Sequence, residues 1–478
     1  MIHLSVSDIA AATGATLLVE GAREVSREAL IDSREAGEGT LFVAFAGERV
    51  DGNAYLAAAA RQGAAAVVAS ADVDEKTVSE LASLGCSLLR AEGDDCEEFL
   101  LRLARRVRED HPEWLVVGVT GSVGKTTTKD MLAAAFGSQR RTHATRGNLN
   151  NLIGLPLTVL SAPDDAEVLV CELGMNHAGE ISRLSAACEP TLACVTNVGT
   201  SHIGLLGSRE NIARAKAEIV SGMRAARGLD PALALLSSGD FTPLIADGFA
   251  RPAGVEVVEA GQGEKDAVRR ASISLDEEGR ATVGLACADG WHGEARLPMP
   301  GRAPADDLLL ALALVWRAGL DRDRALAAIE DMPRTRMRLE IRTAASGARV
   351  IDDSYNAAPA SMAASLDVLA TMACEGRRVA VLGEMGELGD EAARLHGYVG
   401  AYAAAKGVDL LVLVGGELAD DMAEAARTMG LSEDAIERLA TVEDAVRVIG
   451  PVLGAGDLVL VKASRAAGLD SFVRGVLA

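Results

Sequence analysis

The residues with the clearest chemical potential form one octapeptide, Thr120-Gly-Ser-Val-Gly-Lys-Thr-Thr127. It follows the apolar run Trp114–Thr120 and precedes a helix predicted over Thr126–Phe136. Glycines at Gly121 and Gly124 let the backbone wrap closely, so the N–H groups around Ser122 and Val123 can point at a phosphate. The helix N-terminus beyond them adds partial positive charge. Lys125 offers a cation for terminal phosphates, the Thr126 hydroxyl can ligate magnesium, and Thr127 continues the first turn. The strict G-x-x-x-x-G-K-[ST] spacing is not met, because Val119 stands at the first glycine position. The loop speaks for nucleotide binding and not for what the nucleotide is used for.

Three polar residues beyond the loop could serve such a site. Glu172 ends the apolar run Val168–Cys171, and a carboxylate at the carboxyl end of a parallel strand can hold magnesium. A solvated strand-end carboxylate fits the same position. His202 follows the strand-like run ending at Thr196 and could meet metal or phosphate, or be a structural histidine. Lys216 lies in the helix-like stretch Ile212–Ile219, where a solvated helix face is the reading its own surroundings favour.

Three segments must position these groups, as 478 residues are too many for one ordinary domain. Residues 1–112 carry a strand at Thr40–Phe45, a helix at Tyr55–Gln62, a strand at Ala65–Ala69 and a charged helix Glu97–Asp110 ending at His111-Pro112. This pattern predicts a small α/β unit. Residues 113–333 begin with the strand before the phosphate loop, followed by apolar runs at Val168–Cys171 and Leu192–Thr196. A parallel sheet with helices on its faces is expected there. In residues 334–478, strand-like runs at Arg349–Ile351, Val379–Leu382, Leu410–Val414 and Leu458–Val461 alternate with Ala-rich helices, which predicts a doubly wound, Rossmann-like sheet. The fold class is therefore α/β throughout.

Composition narrows the possible partners. A net charge of −22 argues against a broad nucleic-acid-binding surface, yet local backbone amides and a few cations can still hold phosphate. The seven cysteines include no C-x-x-C pair, which fits reduced, buried thiols better than a disulfide scaffold or a zinc ribbon. No signal-peptide pattern opens the chain, and the longest apolar run, Leu308–Trp316, is too short to span a bilayer. A soluble, cytoplasmic protein without membrane insertion is expected. A monomer is expected, although the sequence holds no long exposed apolar heptad from which an oligomeric state could be read.

Read together, these blocks resemble the Mur ligases over nearly the whole chain. Gly121–Thr127 is similar to that family's short phosphate loop. Asn148–Pro156, Glu172–Ile181 and Thr196–Gly199 with His202 resemble its central blocks. Asp32-Ser-Arg34, Gly39–Val43 and Asp51-Gly52 resemble its UDP-binding N-terminal domain. Ile351-Asp-Asp-Ser-Tyr-Asn-Ala357 is similar to the members that add D-alanyl-D-alanine. The resemblance implies ATP and Mg2+ as cofactors, held by the phosphate loop with Asp353, Tyr355 and Asn356 from the third domain. It implies a metal shell of Thr126, Glu172, His202 and Lys216, the last matching a lysine that is carbamylated in several members. Lys125, His202, Lys216 and Arg338 would be catalytic. Ser33 and Arg34 would meet uridine diphosphate, with Asn148, Asn150, Asn151, Lys462 and Arg465 also on the substrates.

The implied reaction joins D-alanyl-D-alanine to a UDP-N-acetylmuramoyl-tripeptide through an acyl phosphate. A related ligase with another amine acceptor, or a non-catalytic nucleotide- or UDP-peptide-binding protein, is the alternative. Several positions depart from the family pattern. Gly301-Arg-Ala-Pro-Ala-Asp-Asp307 replaces Gly-x-His-Asn-x-x-Asn, so Asp307 stands where an amide is usual and is expected to add negative charge beside the nucleotide. Pro304 suits a first helical turn, so the helix itself is expected to survive. Asn53 stands where a His is common, Ala463 where a Gly is, and Ala358 and Ala360 where Asn and Asp are.

Overall fold

In the computed structural model, which describes residues 1–47 and 50–477, each of the three segments builds its own sheet. Ala478, the end of the third expected segment, lies outside the described residues. The first segment carries a five-stranded sheet in the order Thr16–Val19, Ser87–Arg90, Ala66–Ala69, Leu41–Val43, Ala29–Leu30. All neighbours are parallel except Thr16–Val19. Asn53 closes a turn here: its side chain donates to Ser70 Oγ and Asp51 Oδ1 and accepts from Ser70 N.

Helix Cys96–Asp110 ties this segment to the next. Asp95 caps it by accepting from the Glu98 N–H at 2.9 Å. Its apolar face, with Phe99, Leu100, Leu103 and Val107, is buried. Arg108 on the same helix is fully buried, donating to the carbonyls of Cys188 at 3.2 Å and Trp114 at 3.3 Å. Burial lowers its guanidinium to about 10, which leaves it charged at neutral pH.

The second segment forms a nine-stranded sheet. Its order is His292–Pro300, Arg280–Cys287, Val268–Leu275, Glu256–Gly261, Ala232–Leu236, Leu192–Val195, Leu115–Thr120, Val168–Glu172, Thr142–Ala144. The strands from Thr142 to Leu275 are parallel, as the apolar runs predict. The expectation of a purely parallel sheet is corrected by the last two strands, which join antiparallel. They can do so because an antiparallel edge tolerates one solvated face, and Arg280–Cys287 alternates half-buried and buried positions over most of its length.

The third segment's six-stranded sheet runs Glu340–Thr343, Arg349–Asp352, Leu458–Lys462, Arg378–Gly383, Leu410–Val414, Ile436–Leu439. Only the first strand is antiparallel. Among the described residues no helix is long and apolar enough to cross a membrane, and all seven cysteines are free, six of them buried.

Candidate active site

The register of the central sheet explains why distant motifs meet. Glu172 pairs with Val119 on one side of the phosphate-loop strand, and Val195 pairs with Thr120 on the other. The carboxyl ends of three strands therefore open together, where parallel sheets bind ligands. The loop itself needs its glycines. Gly121 has φ 149°, and a Cβ there would lie 1.8 Å from Thr196 Oγ1. Gly124, at φ 88°, makes the left-handed turn into helix Lys125–Gly137.

Not all of the loop's N–H groups are free for phosphate. Ser122 N donates to Asn197 O at 3.0 Å and Val123 N to Asn197 Oδ1 at 3.1 Å. Thr128 is the first residue of the new helix whose N–H finds its carbonyl, that of Gly124 at 2.8 Å. The N–H groups between Val123 and Thr128 thus lack intrahelical acceptors, on residues that line a cavity. Lys125 folds back on the loop, donating to Gly121 O at 2.8 Å and Ser122 O at 3.3 Å. Its ammonium is pushed below the ordinary lysine value by burial, against the attraction of Glu172.

A cavity of about 440 Å³ lies between the second and third segments. It is lined by Ser122, Val123, Gly124, Lys125, Thr126 and Thr127 of the loop. Asn148, Asn150, Asn151, Glu172 and His202 line it from the central domain, and Arg338, Asp353, Tyr355, Asn356 and Lys462 from the third. Gly121, Lys216, Ser33, Arg34 and Arg465 do not line it. Ser33 is buried in the N-terminal domain, and Arg34 is exposed there, donating to Asp32 Oδ1 at 2.9 Å. The side-chain hydrogen bond from Arg34 holds the Asp32 carboxyl at about 2.

Glu172 is 2% exposed. Asn150 Nδ2 donates to its Oε1 at 2.8 Å, while Oε2 is buried without a partner. An orphaned carboxylate oxygen beside a phosphate loop is the acceptor a hard cation needs. Among the described residues no cluster of three or more His, Cys, Asp or Glu side chains could hold a metal alone. A magnesium ion here would therefore be completed by phosphate oxygens and water, which suits its chemistry. Lys216 is 1% exposed, and burial with repulsion from Lys125 drives its amine well below the ordinary lysine value.

The third domain reaches the site through two contacts. His202, at φ 65°, turns its Nδ1 to the Glu387 carboxylate, and Gly204 N donates to Glu387 O at 3.1 Å. The His202 ring holds Glu387 below the usual carboxylate range. Arg338 stacks over the Tyr355 ring at 4.4 Å, with Arg465 at 6.0 Å from the same ring. Left-handed Met337 and Leu339 flank Arg338, and Asp353 steadies them by accepting from Leu339 N at 3.3 Å. Lys462 faces inward as well. It donates to Asp353 Oδ2 at 2.5 Å and Asn356 O at 2.9 Å, so its ammonium is engaged within its own domain.

Asp307 departs from the expectation of added negative charge. Burial pushes its carboxyl up to about 8, so at neutral pH it is mostly a neutral acid. Asn197 and Glu387 were not singled out from sequence. Asn197 sits inside a block read for its strand end, and Glu387 has no local signal because its partner belongs to another domain.

A phosphate loop and a lone acidic acceptor faced by a third domain fit a nucleotide-dependent ligase of the three-domain type, and the chain belongs to the Mur ligase family. Residues 29–107 match the profile described as Mur ligase family, catalytic domain; residues 119–315 match Mur ligase middle domain; residues 337–465 match Mur ligase, glutamate ligase domain. The UDP-N-acetylmuramoyl-tripeptide–D-alanyl-D-alanine ligase of Bacillus subtilis is 33% identical over 478 residues, covering 100% of this chain and 99% of its own. The enzyme of that name from Escherichia coli is 30% identical, covering 93% and 92%. A crystal structure of MurF from Acinetobacter baumannii superposes with a TM-score of 0.86 at 28% identity, covering 99% of each chain. MurF from Thermotoga maritima, solved in complex with ADP, gives 0.78 at 25% identity, covering 95% and 97%.

Proposed function

We propose that the chain is the ATP-dependent ligase that joins D-alanyl-D-alanine to UDP-N-acetylmuramoyl-tripeptide, giving the pentapeptide precursor of peptidoglycan, in the cytoplasm. The observation that carries this reading is the single cavity shared by the phosphate loop, Glu172 and the Arg338–Asn356 face of the third domain. It is supported by full-length similarity to ligases of that name.

Amide formation from a carboxylate is uphill in water, so the carboxylate is activated by phosphoryl transfer. In this scheme residues 1–112 hold the UDP end through Ser33 and Arg34, residues 113–333 hold ATP, and residues 334–478 close over both. The free N–H groups after Val123 and the Lys125 ammonium neutralise charge on the transferred phosphoryl group. Thr126 and Glu172 Oε2 would hold a magnesium ion, which supplies further neutralisation of the phosphate oxygens. Arg338, stacked on Tyr355, is carried in with the third domain, and closure there excludes water from the acyl phosphate. Asn148, Asn150 and Asn151, which line the same cavity, would meet the substrates. Burial and the nearby Lys125 favour the neutral Lys216 amine that carbamylation needs. A carbamate there would place an anion near Lys125.

Lys125→Ala tests the scheme. Product should fall by about three orders of magnitude or more, the loss expected when a principal electrostatic contact of phosphoryl transfer goes. Turnover within tenfold of the unaltered chain would sink it.

A further inference from the structure

A carboxyl group is packed where the phosphate loop becomes a helix. Asp307 reaches from the first turn of helix Pro304–Arg317 to helix Lys125–Gly137, where the Thr128 hydroxyl meets its Oδ1 at 3.0 Å. It fills the space that a side chain at position 124 would take. A Cβ on Gly124 would lie 2.3 Å from Oδ1 and 3.1 Å from Oδ2. Asp307 is 8% exposed and lines the shared cavity. An ionised carboxylate at this place would oppose an incoming polyphosphate where water screens little. A neutral acid presents an O–H donor and a carbonyl acceptor, the same two capabilities as an amide.

We propose that Asp307 serves the nucleotide site as a neutral carboxylic acid, holding the glycine turn through Thr128 and offering its O–H to bound nucleotide, and that its ionisation weakens nucleotide binding. The inference rests on the nucleotide-binding reading above.

The groups around Asp307 agree with a held proton. Among the described residues no cation pairs with it. Arg270 is committed to the neighbouring Asp306 at 3.0 Å, Lys125 to the loop carbonyls, and Lys129 to Asp130 and the Thr145 carbonyl. Asp306 adds a like charge from the same helix. Cys194, on the central strand beneath, is a thiol that burial keeps protonated. Arg334 and Arg338 line the same cavity, and among the described residues neither forms an ion pair with Asp307. The N-terminus of Asp307's own helix favours the anion, but burial dominates and the carboxyl rises to about 8. The proton is therefore present at neutral pH and lost above that value.

The test is calorimetric titration with ADP and magnesium from about pH 6.5 to about pH 9.5, on the full chain and on Asp307→Asn. Wild-type affinity should hold to about pH 8 and then weaken by up to about tenfold per unit, while Asp307→Asn should weaken distinctly less, keeping only the loss that both chains share as Lys125 sheds its proton. Thr128→Val should bind more weakly at neutral pH and move the loss of affinity to higher pH, because the Thr128 hydroxyl favours the ionised carboxyl. Infrared difference spectra of the unaltered chain give a second readout: the carbonyl stretch of a protonated acid should vanish between neutral and alkaline pH. Parallel pH profiles for wild type and Asp307→Asn, or no such infrared change, would overturn the inference. Absence of ADP binding by either chain at any pH would instead overturn the nucleotide reading itself.

Discussion

Replacing Lys462 with methionine should loosen the third domain and the loop that carries Arg338. Lys462 ends strand Leu458–Lys462, and Asp353 follows the parallel neighbour Arg349–Asp352, in a register that pairs Val461 with Asp352. The ammonium is 3% exposed and lies 2.5 Å from the Asp353 carboxylate. Lys462→Met leaves that carboxylate with only Ser365 Oγ at 2.6 Å and Leu339 N at 3.3 Å, and removes the donor from Asn356 O. Stranding one partner of a buried pair costs about 3–5 kcal/mol. At about 1.4 kcal/mol per tenfold, amides of strand Leu458–Lys462 should exchange with solvent deuterium roughly a hundredfold faster or more. Adding Asp353→Asn should recover about half of the loss, since no charge is then left unpaired. Exchange within threefold of wild type in the single variant, or simple additivity in the double, would refute the pairing as a source of stability.

Two further outcomes follow from the geometry at the loop. Gly121→Ala places a methyl group 1.8 Å from Thr196 Oγ1, so ADP titration should show affinity weakened by about tenfold or more, the cost of overpacking a fixed turn; unchanged affinity would mean the turn is not rigid. Asp307→Asn should stabilise the free chain at alkaline pH. The native carboxyl, raised from 3.8 to about 8, keeps a proton that the unfolded chain has lost, so its contribution to stability falls as pH rises between those values. At about 1.4 kcal/mol per unit the ceiling is about 6 kcal/mol, and urea unfolding at about pH 5 and pH 8 should show the gap between variant and wild type widening with pH. A gap that narrows would contradict a buried neutral acid.

The phosphate loop was legible in sequence because its parts are local: a buried strand, two glycines and Lys125-Thr126 within one turn. The sheets were legible in part for a related reason, as continuous apolar runs mark buried parallel strands; Ser87–Arg90 and Ala232–Leu236, parallel and mostly buried too, were missed. The antiparallel pair Arg280–Cys287 and His292–Pro300 escaped because half-exposed strands lack such runs. The use of Asn197 to close the loop's first N–H groups, and of Glu387 to hold His202, depends on residues distant in sequence. The state of Asp307 could not be read from its neighbours in the chain. Asp306 and the helix N-terminus surround an aspartate that sequence alone treats as charged, and only its burial against Gly124 and Thr128 changes that.

The central claim is tested most directly by phosphate release from ATP and magnesium in the presence of UDP-N-acetylmuramoyl-tripeptide, with and without D-alanyl-D-alanine, and by the mass of what is formed. Release that requires both substrates, together with the mass of the joined pentapeptide, is the predicted result. Tight ATP binding with no joined product, from this dipeptide or from a panel of other amines, would contradict it.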